Sequence, residues 1–121
     1  MIELGSRERP QPAPSRVVWG SLASPREPAA RPWLDLLADE AEPRVLTATA
    51  PELVVWSSLW PDRPDDQIRF DLRPRPDGLQ GCLLRWTLLT PDDLPDEGRL
   101  GRLRPRLNFL LYDRLLRSYS Q

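Results

Sequence analysis

The sequence predicts an α+β domain in which a curved antiparallel sheet is closed by one long C-terminal helix. Three observations carry this expectation. Between residues 44 and 89, four segments rich in β-branched, aromatic or other apolar residues follow one another, separated by short stretches of proline, aspartate and glycine. Two of these segments present one wholly apolar face. The last twenty residues carry an apolar stripe at helical spacing. A chain of 121 residues makes one domain and can bury a core without disulfides or metals.

Residues 1–14 (MIELGSRERPQPAP) mix charge with proline and are expected to be a disordered, Pro-rich tail. The folded domain is expected over 15–121. From Arg16 to Ala23 the run Val17, Val18, Trp19, Leu22 reads as the first strand. Ser24-Pro25-Arg26-Glu27 has the form of a capping box and predicts a short helix, stopped by Pro28 and Pro32. A second short helix is expected from Trp33 to about Ala41, with Trp33, Leu36 and Leu37 on one face and Pro43 at its end.

Four strands follow. Arg44 to Ala50 is rich in valine and threonine, and Pro51-Glu52 makes a corner. Leu53 to Trp60 reads as a buried strand, and Pro61 to Asp66 as a turn. Gln67 to Arg73 alternates, with Ile68, Phe70 and Leu72 on one face and Arg69, Asp71 and Arg73 on the other. Pro74 to Gly78 is the next turn. Gln80 to Leu89 sets Cys82, Leu84, Trp86 and Leu88 on one face. Strands joined by short turns pair antiparallel. After an acidic loop, Thr90 to Gly98, a helix is expected from about Gly101 to Tyr119, with Pro105 in its first turn. Its apolar residues cover about 200° of arc, with Asn108 near the middle.

Composition excludes several chemistries. The chain has no histidine and a single cysteine, Cys82. There is no Ser-His or Cys-His pair and no ligand set for a zinc site. Cys82 sits on an apolar strand face and reads as a small hydrophobe. No metal and no cofactor are expected. The acidic run Asp92, Asp93, Asp96 and Glu97 lacks the spacing of a calcium loop and adjoins an arginine-rich stretch. The formal charge of −1 gives no field for nucleic acid, and no segment has the length of a membrane span. A cytoplasmic location is expected, since the polar N-terminus lacks an apolar leader and the lone cysteine suits a reducing compartment.

The order of elements and the strings EPRVLTATAPELVVWSSLWPDRPDDQIRFDL, LLRWTLLTP and RLRPRLNFLLYDRLLRSYSQ resemble bacterial, uncharacterised members of the START-like superfamily, also called SRPBCC or polyketide cyclase/dehydrase-like proteins. The resemblance runs from about Arg16 to Gln121. It implies the helix-grip fold, a curved antiparallel sheet wrapped on a long C-terminal helix, with two short helices after the first strand. Lipid and hormone carriers, aromatase/cyclases and chaperone cofactors share that fold, and no catalytic motif carries over. Five strands are counted here, where the family commonly has one or two more, which implies a shallow, open or absent cavity.

The expected partner is a small apolar ligand held between sheet and helix. Its floor would be Trp56, Phe70 and Trp86. Its lid would be the helix face bearing Asn108 and Tyr112, whose amide and phenol would orient the guest. Two other readings stand beside it: a structural or protein-interaction module with a filled core, and, third, a cyclase-like enzyme.

Overall fold

The computed structural model describes residues 1–26 and 32–119. Five strands form one curved antiparallel sheet in the order β1-β5-β4-β3-β2, so the first strand lies against the last. The strands are β1 (Ile2–Gln11), β2 (Val45–Thr49), β3 (Leu53–Ser57), β4 (Gln67–Pro74) and β5 (Cys82–Thr90). Helix α1 (Ser15–Ala23) follows β1. A C-terminal helix of 22 residues crosses the concave face. It consists of α2 (Glu97–Phe109), a π-helical stretch (Leu110–Leu115) and a last short α-helical stretch, α3 (Leu116–Ser118). The architecture is the α+β helix-grip arrangement that the sequence predicts, with its first third built from different residues.

Residues 1–14 are not a tail. Most of them form β1, which runs antiparallel to β5 from Ile2 opposite Thr90 to Gln11 opposite Cys82. The composition argument weighed apolar burial, and β1 has little to bury beyond Leu4. Its stability comes from the backbone ladder that β5 offers. Pro10 is tolerated because β1 is an edge strand, where a missing N–H need not break a ladder bond.

Residues 16–23, expected as a strand, are helical. Val17 and Val18 have β propensity, yet the helix puts Val18 and Leu22 one turn apart on its buried side. Trp19 packs beside them and donates its indole N–H to the Leu53 carbonyl at 3.0 Å. Tertiary burial outweighs the few tenths of a kcal/mol by which β-branched residues disfavour a helix.

Neither expected short helix after that point is present among the described residues. Ser24 to Arg26 form a bend and turn, and residues 27–31, where that helix would continue, lie outside the described residues. Residues 32–44 form an extended strap with one turn at Ala38 and Asp39. Its backbone carbonyls are engaged from outside. Those of Trp33, Leu34 and Asp35 accept from Arg114, Arg26 and Arg106 respectively. Trp33 and Leu34 are buried, so the strap is fixed by side-chain anchoring in place of its own ladder.

Strands β2 to β5 lie where the alternation places them. Ile68, Phe70 and Leu72 of β4 and Leu84, Trp86 and Leu88 of β5 are buried, and Leu103, Leu107, Leu110, Leu111 and Leu115 of the C-terminal helix join them in one core. The helix starts four residues earlier than the expected Gly101. Asp96 caps it, its carboxylate accepting from the Arg99 N–H at 2.7 Å. Pro105 therefore lies inside the helix. It and Gly101, four residues before it, are both exposed, so the carbonyl left without a donor lies on the solvent side.

Candidate functional site

The expected floor of a pocket is solid core. Trp56 and Phe70 are fully buried and Trp86 is 1 % exposed. Trp56 stacks on Trp33 of the strap with ring centroids 5.9 Å apart, and meets Phe70 edge-on at 4.7 Å. The Trp56 indole N–H donates to the Leu22 carbonyl at 2.8 Å. The strap thus delivers an indole into the space expected for a guest. Trp56, Phe70 and Trp86 hold the fold together and are not in the lining of three surface grooves formed by the described residues.

Asn108 and Tyr112, the expected lid residues, do line a groove, and it opens outward. It is an open groove of about 420 Å³ between β1 and the C-terminal helix, lined by Arg7, Arg9, Pro10, Asn108, Tyr112 and Leu116. That volume is within the range of small-molecule sites, about 300–1,000 Å³. The register explains its composition. Arg7 pairs opposite Trp86 and Arg9 opposite Leu84, so both arginines project from the sheet face that the helix covers. Glu8, between them, points to the other face and pairs with Arg73 at 2.9 Å. That ion pair holds the Glu8 carboxyl below its ordinary pKa.

Each polar group of the groove has a defined state. The Asn108 Oδ1 accepts from the Trp86 indole N–H at 2.9 Å. That bond fixes the amide orientation and leaves its NH₂ as donor. The Tyr112 hydroxyl lies 2.6 Å from the Arg7 carbonyl and 2.7 Å from the Leu84 carbonyl, and its proton is engaged there. Burial pushes the phenol far above its ordinary pKa, so it stays neutral. Tyr112 therefore ties the helix to β1 and β5, and offers the groove its ring, where the sequence suggested its hydroxyl.

Arg7 and Arg9 are exposed and meet no carboxylate among the described residues. Most other arginines are engaged. Arg63 pairs with Asp66 at 2.6 Å, Arg99 with Asp62 at 2.8 Å, and Arg104 donates to the Leu4 carbonyl at 2.8 Å. Arg106 and Glu40 form a shielded pair at 2.8 Å that locks the strap to the helix. Burial raises the Glu40 carboxyl, but the bonds from Arg106 and from the Leu37 N–H outweigh it and hold the pKa below 4.5. Arg7 and Arg9 were invisible as site residues in the sequence, because they fall in a segment read as a tail. The faint signal is the alternation of Arg7, Arg9 and Gln11 against Ser6, Glu8 and Pro10.

Cys82 is buried, and burial pushes its thiol up. Among the described residues no group of three or more histidine, cysteine or acidic side chains could hold a metal ion. No helix among them is long and apolar enough to cross a membrane.

No protein-family model matches the chain, and no curated protein matches it in sequence. Solved structures match it in fold. The crystal structure of CalU16 from Micromonospora echinospora superposes with a TM-score of 0.67 at 20% identity, over 95% of this chain and 74% of that one. The solution structure of the Aha1 dimer from Colwellia psychrerythraea gives a TM-score of 0.63 at 12% identity, over 96% of both chains. At these identities the likeness is one of fold, and the class it defines is the α+β helix-grip fold.

Proposed function

We propose that this chain is a START-like binding module that takes a small, mostly apolar molecule in the open groove between β1 and the C-terminal helix. The observation that carries the reading is the division of the concave face. Its centre is filled by Trp33, Trp56 and Phe70, while its β1 side keeps a groove with apolar walls from Pro10, Leu116, the Tyr112 ring and the arginine stems. Among the described residues the groove's lining offers no carboxylate and no thiol to act as a base or nucleophile, which favours binding over turnover. The test is a titration of the ¹⁵N-labelled protein with decanol below its solubility limit. Shifts confined to residues 7–10 and 108–116 are expected. Shifts spread over the core strands, or none at all, would remove the groove from consideration.

A second reading, a protein-interaction module, is favoured by β2. It is an edge strand whose five residues are all exposed, with Val45 and Leu46 each about 40% accessible. Such an edge can accept a further strand. Sedimentation showing dimers that a proline at Ala48 abolishes would bring that reading forward.

A further inference from the structure

We infer that the groove reads an anionic head group, and that its ligand is a small amphiphile ending in a carboxylate or phosphate; this rests on the groove being a binding site at all. Among the described residues lining the groove, the side-chain polar groups left free are donors. Arg7 and Arg9 supply two guanidiniums from alternate positions of one strand, on the same face of the sheet. Asn108 supplies its NH₂, because its oxygen is held by the Trp86 indole. The one hydroxyl, Tyr112, is turned to backbone carbonyls and cannot ionise near neutral pH. Among the described residues no acidic side chain lines the groove to neutralise the arginines.

The neighbouring carboxylate in sequence, Glu8, is on the opposite face and committed to Arg73. An edge strand of alternating residues sorts the charges here: the ion pair goes to the outer face, and the two uncompensated cations go to the groove. A neutral guest could offer these donors acceptors but no counter-charge, and a cationic guest would be repelled. An anionic oxygen group satisfies them with charge-assisted bonds, and guanidinium suits planar or tetrahedral oxyanions by its fork of donors. The remaining walls are apolar, so the rest of the guest is a hydrocarbon tail or ring lying along Pro10, Tyr112 and Leu116.

The experiment measures binding of three ligands of equal chain length, decanoate, decyl phosphate and decanol, by calorimetry below their micellar concentrations. The proteins compared are the wild type and Arg7→Gln/Arg9→Gln. Both arginines are exposed, so the variant should fold, and a thermal melt checks it. At least one anionic ligand is expected to bind the wild type about tenfold to a hundredfold more tightly than decanol. The double variant should lose that margin, with decanol measured on the same variant as the reference because the shortened stems also trim the apolar wall. Whichever anion shows the larger margin names the head group. Equal affinity for decanol and both anions would overturn the head-group inference while leaving the groove as an apolar site. Binding of none of the three would overturn both. A margin that survives in the double variant would place the anion elsewhere and also sink the inference.

Discussion

The concave face of this sheet has two halves built to opposite standards. Over β3 and β4 the helix, the strap and the sheet interlock: Trp33, Trp56 and Phe70 touch ring to ring, and the Arg106–Glu40 pair clamps the strap from outside. Over β1 the same helix is tied on by Tyr112 and Gln11 yet leaves an open groove, lined by two arginines that meet no counter-charge among the described residues. One helix serves both halves. The difference lies in what faces it, aromatic rings on one side and guanidiniums on the other. A helix-grip fold can lose its interior cavity to an inserted strap and still keep a recess at the edge, because the edge strand has no neighbour to close it.

That contrast can be broken at its strongest point first. Trp56→Ala removes both ring contacts and the bond to Leu22, and should cost about 3–5 kcal/mol in a urea melt, the range for large buried aromatics. A loss below about 0.5 kcal/mol would mean that the central half is not close-packed.

Glu40→Gln tests the clamp. At neutral pH it should cost about 1.5–3 kcal/mol, as for a shielded charge-assisted bond. The folded-state pKa of Glu40 lies below its ordinary 4.5, so its contribution is complete above that value and disappears as pH falls through the folded value. Stability curves of wild type and variant should therefore converge as pH falls from 4.5 through the lowered folded-state value, and a gap constant with pH would assign the loss to packing.

Asn108→Leu sits on the border between the halves. It leaves the Trp86 indole N–H without an acceptor, and about 1–2 kcal/mol of destabilisation is expected in the same melt. A rise in stability would show that the Trp86 bond is dispensable. Smallest of all, Arg7→Gln/Arg9→Gln should change stability by less than about 0.5 kcal/mol. A larger loss would make these arginines part of the scaffold and remove the contrast.

The sequence disclosed the closed half and concealed the open one, for a physical reason. Strands β4 and β5 and the C-terminal helix are fixed by apolar periodicity, which is written in residues such as Ile68, Phe70, Trp86 and Leu107. A filled core was one of the readings the sequence offered, but the part of Trp33 in it was not legible, since it depends on Trp33 reaching Trp56 from a strap held by Arg26, Arg106 and Arg114, contacts between residues far apart in the chain. Strand β1 carries almost no apolar signal. Its place is set by backbone bonds to β5, which side-chain pattern does not encode. Asn108 and Tyr112 were found through their position on the helix, but the groove partners Arg7 and Arg9 were lost with the strand that bears them. The apolar arc of the helix looked too wide for packing alone, and the π-helical stretch accounts for that width.

Leu103, Leu107, Leu111 and Leu115 recur every four residues. On a regular α-helix each such step overshoots a full turn by about 40°, so the last leucine would drift about 120° from the first. The wider winding over Leu110–Leu115 takes back part of that drift and keeps all four buried. The Leu116 N–H turns to the Asp113 carbonyl, and the Leu111 carbonyl accepts the Gln11 side chain at 2.7 Å. The helix is thus read in two frames, one before residue 110 and one after 115, spliced where β1 is tied on. Removing a single residue from the splice would let it rewind as regular α-helix and keep the second frame close to its place, whereas removing one from the regular helix before residue 110 would turn the two frames by about 100° against each other, and the same deletion between residues 91 and 95 would fall in the loop ahead of the Asp96 cap and leave both frames intact.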